Sequence, residues 1–298
     1  MPQRLSTCAR HKTAFPSHYV RNTVLLTPLP GGRDGLIENL EEIKRALANA
    51  QSSQTRVEGT HKAYLDAVAQ GARLLRGRVR SADIDELLHT RRYWALLDMT
   101  REVNSPSAVI RDLLSLEIAD RLLGLDETIA TTREALFRWS SNAGRLVLPD
   151  TSFYLRNPSV LENVDFPATL GTEDTVTVLI PLVVIEELDR AKRAKDDIRH
   201  KAQVALAVLE RHARDGLSGR WREAPASASQ PGRGEIWFDV LLDPPGHSPL
   251  PVADAEIVDR ALAVQTLAGR SVTLLTCDTS QAFRARGAGI SDVQKLSF

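Results

Sequence analysis

Apolar residues recur at helical spacing through the first half of the chain. From Asp34 onward, Leu36, Ile37, Leu40, Ile43 and Leu47 form one face, with Glu38, Glu41, Glu42, Lys44 and Arg45 between them, the pattern of an amphipathic helix. After the polar stretch Gln51-Ser52-Ser53-Gln54-Thr55, the residues Tyr64, Val68, Leu74 and Leu75 resume that spacing until a stop near Gly77. Asp83 and Glu86 have the form of a capping box for a helix carrying Leu87, Leu88, Trp94, Leu96 and Leu97. Ser105-Pro106 supplies an N-cap and a first-turn proline before Ile110, Leu113, Leu114, Ile118 and Leu122. Asp126 opens a last helix through Ile129, Leu136, Phe137 and Trp139. The spacing predicts an all-α bundle over residues 34–143, with Tyr64, Trp94 and Trp139 in its core.

The period changes at Gly144. Arg145–Pro149, Val176–Pro181 and Ser271–Thr276 are short apolar runs, and each is followed by residues that can start a helix. An amphipathic helix through Ile257, Val258, Ala261, Leu262 and Val264 precedes the third run. Strands alternating with helices predict an α/β domain with a central, mainly parallel sheet over residues 144–298. Within it, residues 219–251 are rich in Pro, Ser and Gly and read as an insertion or flap, with one edge strand at Glu235–Leu242. At the other end, Arg4, Arg10, Lys12 and Arg21 precede the first acid, Asp34, so residues 1–33 read as a basic arm.

Composition narrows the chemistry. Lys plus Arg total 38 and Asp plus Glu total 38, so affinity for a nucleic acid must come from local patches and not from the field of the whole molecule. Cys8 and Cys277 form no CxxC pair, which argues against a disulfide framework or structural zinc and for a reduced, cytoplasmic protein. The apolar stretch from Val176 to Leu188 is broken by Thr177, Pro181, Glu186 and Glu187, so no membrane span is expected. The chain has no GxSxG elbow, phosphate-binding GxxxxGK[ST] loop, strand-linked GxGxxG or HExxH.

In open α/β sheets, ligands bind beyond the carboxyl ends of the strands. Asp150 directly follows the first predicted strand, Asp278 follows the third, and Glu187 lies in the first helical turn after the second. Asp254 opens the helix that leads into the third strand. Singly, each has a structural reading: Asp150 and Asp254 as helix caps, Glu187 as a solvated carboxylate favoured by the helix dipole. Jointly, four carboxylates in one pocket would repel unless a divalent cation sat among them, and oxygen-only ligation favours Mg²⁺ or Mn²⁺. Glu186, Asp189, Glu256 and Asp259 are expected to face elsewhere, and Glu173 and Asp174 belong to the opposite end of the sheet.

Four segments carrying these acids resemble the PIN-domain nucleases. They are Asp150-Thr151-Ser152 after a short strand, Ile180 to Asp189 with Glu187 before a Leu, Asp254 to Leu262, and Leu274 to Asp278 with its Thr-x-Asp ending. The resemblance covers residues 145–298 and implies a PIN-like three-layer domain behind an additional helical domain. It implies a metal-dependent endoribonuclease in which Asp150, Glu187, Asp254 and Asp278 hold Mg²⁺ or Mn²⁺ and hydrolyse RNA, with Thr151, Ser152 and Thr276 orienting the carboxylates.

Beside that pocket, Lys192, Arg193, Lys195, Arg199 and Lys201 form a basic run that reads either as a solvated helix face or as a seat for RNA phosphates. A second cluster, Arg73, Arg76, Arg78 and Arg80, reads mainly as a solvated face pairing with Asp83, Asp85 and Glu86. Half the chain lies outside the resemblance, which leaves a second reading open. In it the protein is a catalytically weak RNA-binding or partner-binding module whose helical domain binds a protein partner or a second copy.

Overall fold

The computed structural model describes residues 26–52, 57–99, 108–141, 144–227, 233–243 and 247–298. Ser105-Pro106, the basic residues from Arg4 to Arg21 and Cys8 lie outside these residues. Five helices come first: α1 (Leu36–Ser52), α2 (Val57–Leu75), α3 (Ser81–Leu87), α4 (Arg91–Asp98) and α5 (Ala108–Ser141). Leu36, Leu40, Ile43 and Leu47 of α1 pack with Tyr64 and Val68 of α2 and with Leu114, Ile118, Leu125 and Ile129 of α5 in one apolar cluster. A buried carboxylate, Glu117, sits in this half between Arg121 at 3.2 Å and Arg92 at 3.4 Å, and accepts from Thr90 Oγ1 at 2.7 Å. Its charge is tolerable there because cations and a hydroxyl surround it.

Several local expectations change. Residues 26–33 are not an arm: Leu26 is buried, Pro28 bridges Val79, and Leu29 N donates to Arg78 O. The expected single helix after Asp83 is two: the first ends at Leu87, and Thr90 caps the second by accepting from Tyr93 N. Asp83 forms no capping box; it accepts from Thr27 N at 2.7 Å instead. Asp126 starts no helix, since α5 runs through it and its carboxylate pairs with Lys44 at 2.5 Å. Tyr64 and Trp139 are buried, but Trp94 and Phe137 are exposed.

The second half holds a six-stranded sheet in the order β3-β4-β2-β1-β5-β6. Its strands are β1 (Arg145–Pro149), β2 (Val176–Pro181), β3 (Ser218–Arg222), β4 (Ile236–Leu241), β5 (Val272–Thr276) and β6 (Asp292–Lys295). All neighbours are parallel except β3 and β4. The flanking helices are α6 (Thr151–Arg156), α7 (Phe166–Thr169), α8 (Leu182–Ala191), α9 (Asp196–Ala213), α10 (Ala253–Ala268) and α11 (Thr279–Ala288). The chain is therefore an α/β domain with a mainly parallel sheet, preceded by helices. The stretch read as a flap instead supplies β3 and β4, and β4 is interior, paired with β2 on one side and β3 on the other. Gly144 opens β1 at φ +86°, where a Cβ would lie 1.9 Å from the Thr175 carbonyl oxygen, so only glycine fits that entry.

Charged contacts join the two halves. Arg80 pairs with Asp259 of α10 and not with its sequence neighbours, and Arg138 of α5 pairs with Asp239 of β4. Asp239 is 4% exposed, and burial holds its carboxyl above the ordinary range although Arg138 opposes the shift. A raised folded-state pKa means that this group favours folding most at acid pH and progressively less as pH rises through the folded value. Arg138→Ala removes the opposing charge and raises that pKa further. The variant's loss of unfolding free energy in urea should be about 2–3 kcal/mol at neutral pH, shrinking toward pH 4.

Candidate active site

The sheet order makes β1 a switch point. From β1 the chain moves outward through β2 to the edge strand β3, turns back into β4 between them, then returns to β5 on the other side of β1. A crevice opens at the carboxyl ends of strands where the winding reverses, and Asp150 is the first residue beyond β1.

Asp150 is 3% exposed and tightly bonded. Its Oδ1 accepts from Ser152 Oγ at 2.6 Å and Phe153 N at 2.9 Å, and its Oδ2 accepts from Thr276 Oγ1 at 2.5 Å. Both hydroxyls also accept backbone amides from the turn after β5: Cys277 N to Ser152 Oγ at 2.8 Å and Asp278 N to Thr276 Oγ1 at 2.9 Å. Each hydroxyl thus joins the Asp150 carboxylate to the Asp278 turn. With two donors on Oδ1 and one on Oδ2, the unused lone pair of this carboxylate lies on Oδ2. Burial pushes the Asp150 carboxyl up, the charge of Asp254 adds to that, and the three hydrogen bonds oppose it.

The other three expected acids stand on α8, α10 and at the start of α11, elements that pack near α6 and β5. Glu187 lies in the second turn of α8 and not in the first as expected, and Thr151 Oγ1, on the residue after Asp150, donates to its Oε2 at 2.6 Å. Asp254 lies in the first turn of α10, close enough for its charge to act on Asp150. Asp278 caps α11 by accepting from Ser280 N at 2.7 Å; that bond, with the positive charge of Arg156, holds its carboxyl below the ordinary range. Capping describes both Asp150 and Asp278, and it leaves room for further ligation because a carboxylate offers about four lone-pair sites.

The acids are more widely spread than a closed metal cage. Among the described residues, the three groups whose ligand atoms all lie within 4.8 Å of one another are Asp243, His247 and Glu256. That trio reads as a loop clamp. Glu256 Oε1 meets His247 Nε2 at 2.7 Å and Arg260 Nε at 3.2 Å, while Oε2 accepts from Leu250 N at 2.8 Å, so Arg260 already supplies the compensating charge.

The neighbouring acids face elsewhere. Glu186 is exposed, Asp189 pairs with Lys192 at 2.5 Å, and Asp259 turns toward Arg80 and Arg260. Of the basic run, Lys192 is thus engaged by Asp189, and Lys201 Nζ donates to Asn157 O at 3.2 Å. Arg193, Lys195 and Arg199 are exposed around the α8–α9 turn. Burial and the charge of Asp150 push the Cys277 thiol up, which disfavours a thiolate nucleophile.

Two residues near the acids carried no signal in the pattern of the chain. Arg156, at the end of α6, donates to Cys277 O at 3.3 Å beside Asp278. Gln281 is fully buried in α11 and donates to Asp254 O at 3.1 Å, linking the start of α10 to α11.

The PIN domain family model matches residues 147–294. No curated protein and no solved structure matches the chain significantly.

The hydroxyl scaffold can be tested apart from any activity. Thr276→Val keeps the shape but leaves Asp150 Oδ2 and the Asp278 amide without that partner. Unfolding free energy in urea should fall by about 1–3 kcal/mol, and the Asp150 side-chain carbon should titrate at higher pH than in wild type by NMR.

Proposed function

Because residues 147–294 belong to the PIN-domain family, whose members are generally nucleases, we propose that this protein is a metal-dependent endoribonuclease acting through Asp150, Glu187, Asp254 and Asp278. The observation that carries this reading is the buried Asp150 carboxylate at the switch point of the sheet, pinned by two hydroxyls with a lone pair of Oδ2 to spare and Asp254 beside it. The charge of Asp254 raises the proton affinity of Asp150, and the same repulsion favours a positive charge between them. The donors are all carboxylate oxygens, the set that suits Mg²⁺ or Mn²⁺.

When bound there, such a cation lowers the pKa of a water nucleophile and offsets charge on the phosphodiester. The protein's own part is positioning. Ser152 and Thr276 fix the rotamer of Asp150, Thr151 fixes Glu187, and the Ser280 amide keeps Asp278 ionised. Gln281 holds the first turn of α10, and with it Asp254, against α11. Arg156 sets a cation next to Asp278, where an RNA phosphate would need one. Arg193, Lys195 and Arg199, exposed beyond the helix that carries Glu187, extend a basic path for the RNA backbone; contacts of this kind hold a strand in place without reading its sequence.

The test is cleavage of labelled single-stranded RNA in Mn²⁺, Mg²⁺ or EDTA, with DNA of the same sequence alongside. Wild type should cut RNA only with metal. Asp150→Asn and Asp278→Asn should each lower the rate by roughly 100-fold or more, about 2.7 kcal/mol of barrier, with unchanged circular dichroism. Arg156→Ala and Lys195→Ala should act mainly on KM. Full activity in Asp150→Asn, or no cutting by folded wild type in Mn²⁺, would overturn the enzyme reading, and equal cutting of DNA would remove the preference for RNA.

A further inference from the structure

Helix α5 is apolar on two faces. Leu114, Ile118, Leu125 and Ile129 are buried in the helical core. A second line, Val109, Leu116, Leu123, Ala130 and Phe137, lies about 150° around the helix from the first at about 100° per residue, and every member is exposed. Val109 is 73% exposed, Leu116 54%, Leu123 51% and Phe137 74%. The interval is seven residues throughout. A straight helix drifts about 20° per heptad against such a repeat, so an apolar line kept over four heptads stays in register only with a helix that winds around it.

We propose that this line is the seam of an antiparallel homodimer, with α5 of a second copy lying along α5 and the two Leu123 side chains at the two-fold axis. The layers favour this direction. Antiparallel docking sets Val109 against Phe137 and Leu116 against Ala130, so larger and smaller side chains share each layer. Parallel docking would stack Phe137 on Phe137 and Ala130 on Ala130, a bulge beside a void.

Charge on one flank of the line favours a second copy as the occupant. Asp112 and Arg133 flank the line on the same side near its opposite ends. A two-fold axis at Leu123 therefore brings Asp112 of each copy to Arg133 of the other, two ion pairs from one sequence. Arg133 donates to Glu41 at 2.9 Å, and its five donors can hold a second carboxylate as well. The other flank carries Asp120, Glu127 and Glu134, and the same axis sets Asp120 near Glu127 of the other copy; Arg92, 2.6 Å from Asp120, offsets part of that repulsion. The seam runs about 42 Å.

Sedimentation equilibrium of the full chain in the micromolar range tests the dimer independently of any nuclease activity. Wild type should sediment at twice the 32.8 kDa chain mass, and Leu123→Glu as a monomer with unchanged circular dichroism, since Leu123 is exposed in the single chain. Asp112→Arg should weaken the dimer at least tenfold, and adding Arg133→Asp should restore it. A monomeric wild type, or a dimer that survives Leu123→Glu, would overturn the seam. A dimer indifferent to Asp112→Arg would overturn the antiparallel arrangement.

Discussion

A carboxylate buried where strands end must either be hydrogen-bonded on both oxygens or give up its charge, and the geometry of the sheet half turns on how Asp150 meets that demand. Two of its three donors are hydroxyls, Ser152 and Thr276, and each also accepts an amide from the turn that carries Asp278. One network thus satisfies the buried acid, joins the end of β1 to the end of β5 and sets the spacing between Asp150 and Asp278. Thr151 extends the same logic to Glu187 on α8. Small hydroxyl residues beside each acid are what make a cluster of negative groups compatible with a dry, closely packed sheet edge.

The remainder of the molecule stabilises that arrangement from outside. Asp239 places a charge inside the sheet, and its partner, Arg138, comes from the last turn of α5. Asp259 meets Arg80, which follows α2, and Arg33 donates to Ala268 O at 3.4 Å. Both ends of α10 are therefore held, by the Glu256 clamp and Gln281 near its start and by Arg33 at its close. The helical half is in this sense part of the frame that fixes α10, the element carrying Asp254.

Much of the frame was legible in the chain because it depends on local pattern. Arg145–Pro149 and Val176–Pro181 are buried strands with the bounds their apolar runs imply. Asp150, Asp254 and Asp278 lie at element ends, where side chains and backbone must satisfy one another locally. What the pattern misplaced depends on distant partners. Strand β4 reads as an edge because its residues alternate within a Pro-, Ser- and Gly-rich stretch, whereas Arg138, which makes the buried Asp239 tolerable, is far away in sequence. Asp83 has the form of a cap, but Thr27 N takes its carboxylate. Asp126 resembles a helix start until Lys44 is seen beside it. Arg156 and Gln281 gave no signal, since their value lies in meeting α11 and α10 and in no motif of their own.

If the lone pair left on Asp150 Oδ2 receives a divalent cation together with Glu187, Asp254 and Asp278, binding should be measurable without any substrate. Calorimetric titration of Mn²⁺ into the full chain, comparing wild type with Asp150→Asn and with His247→Ala, separates this site from the Asp243–His247–Glu256 group. Binding by wild type and His247→Ala, lost in a folded Asp150→Asn, is the predicted result. Equal Mn²⁺ binding by Asp150→Asn, or binding lost only with His247, would contradict it.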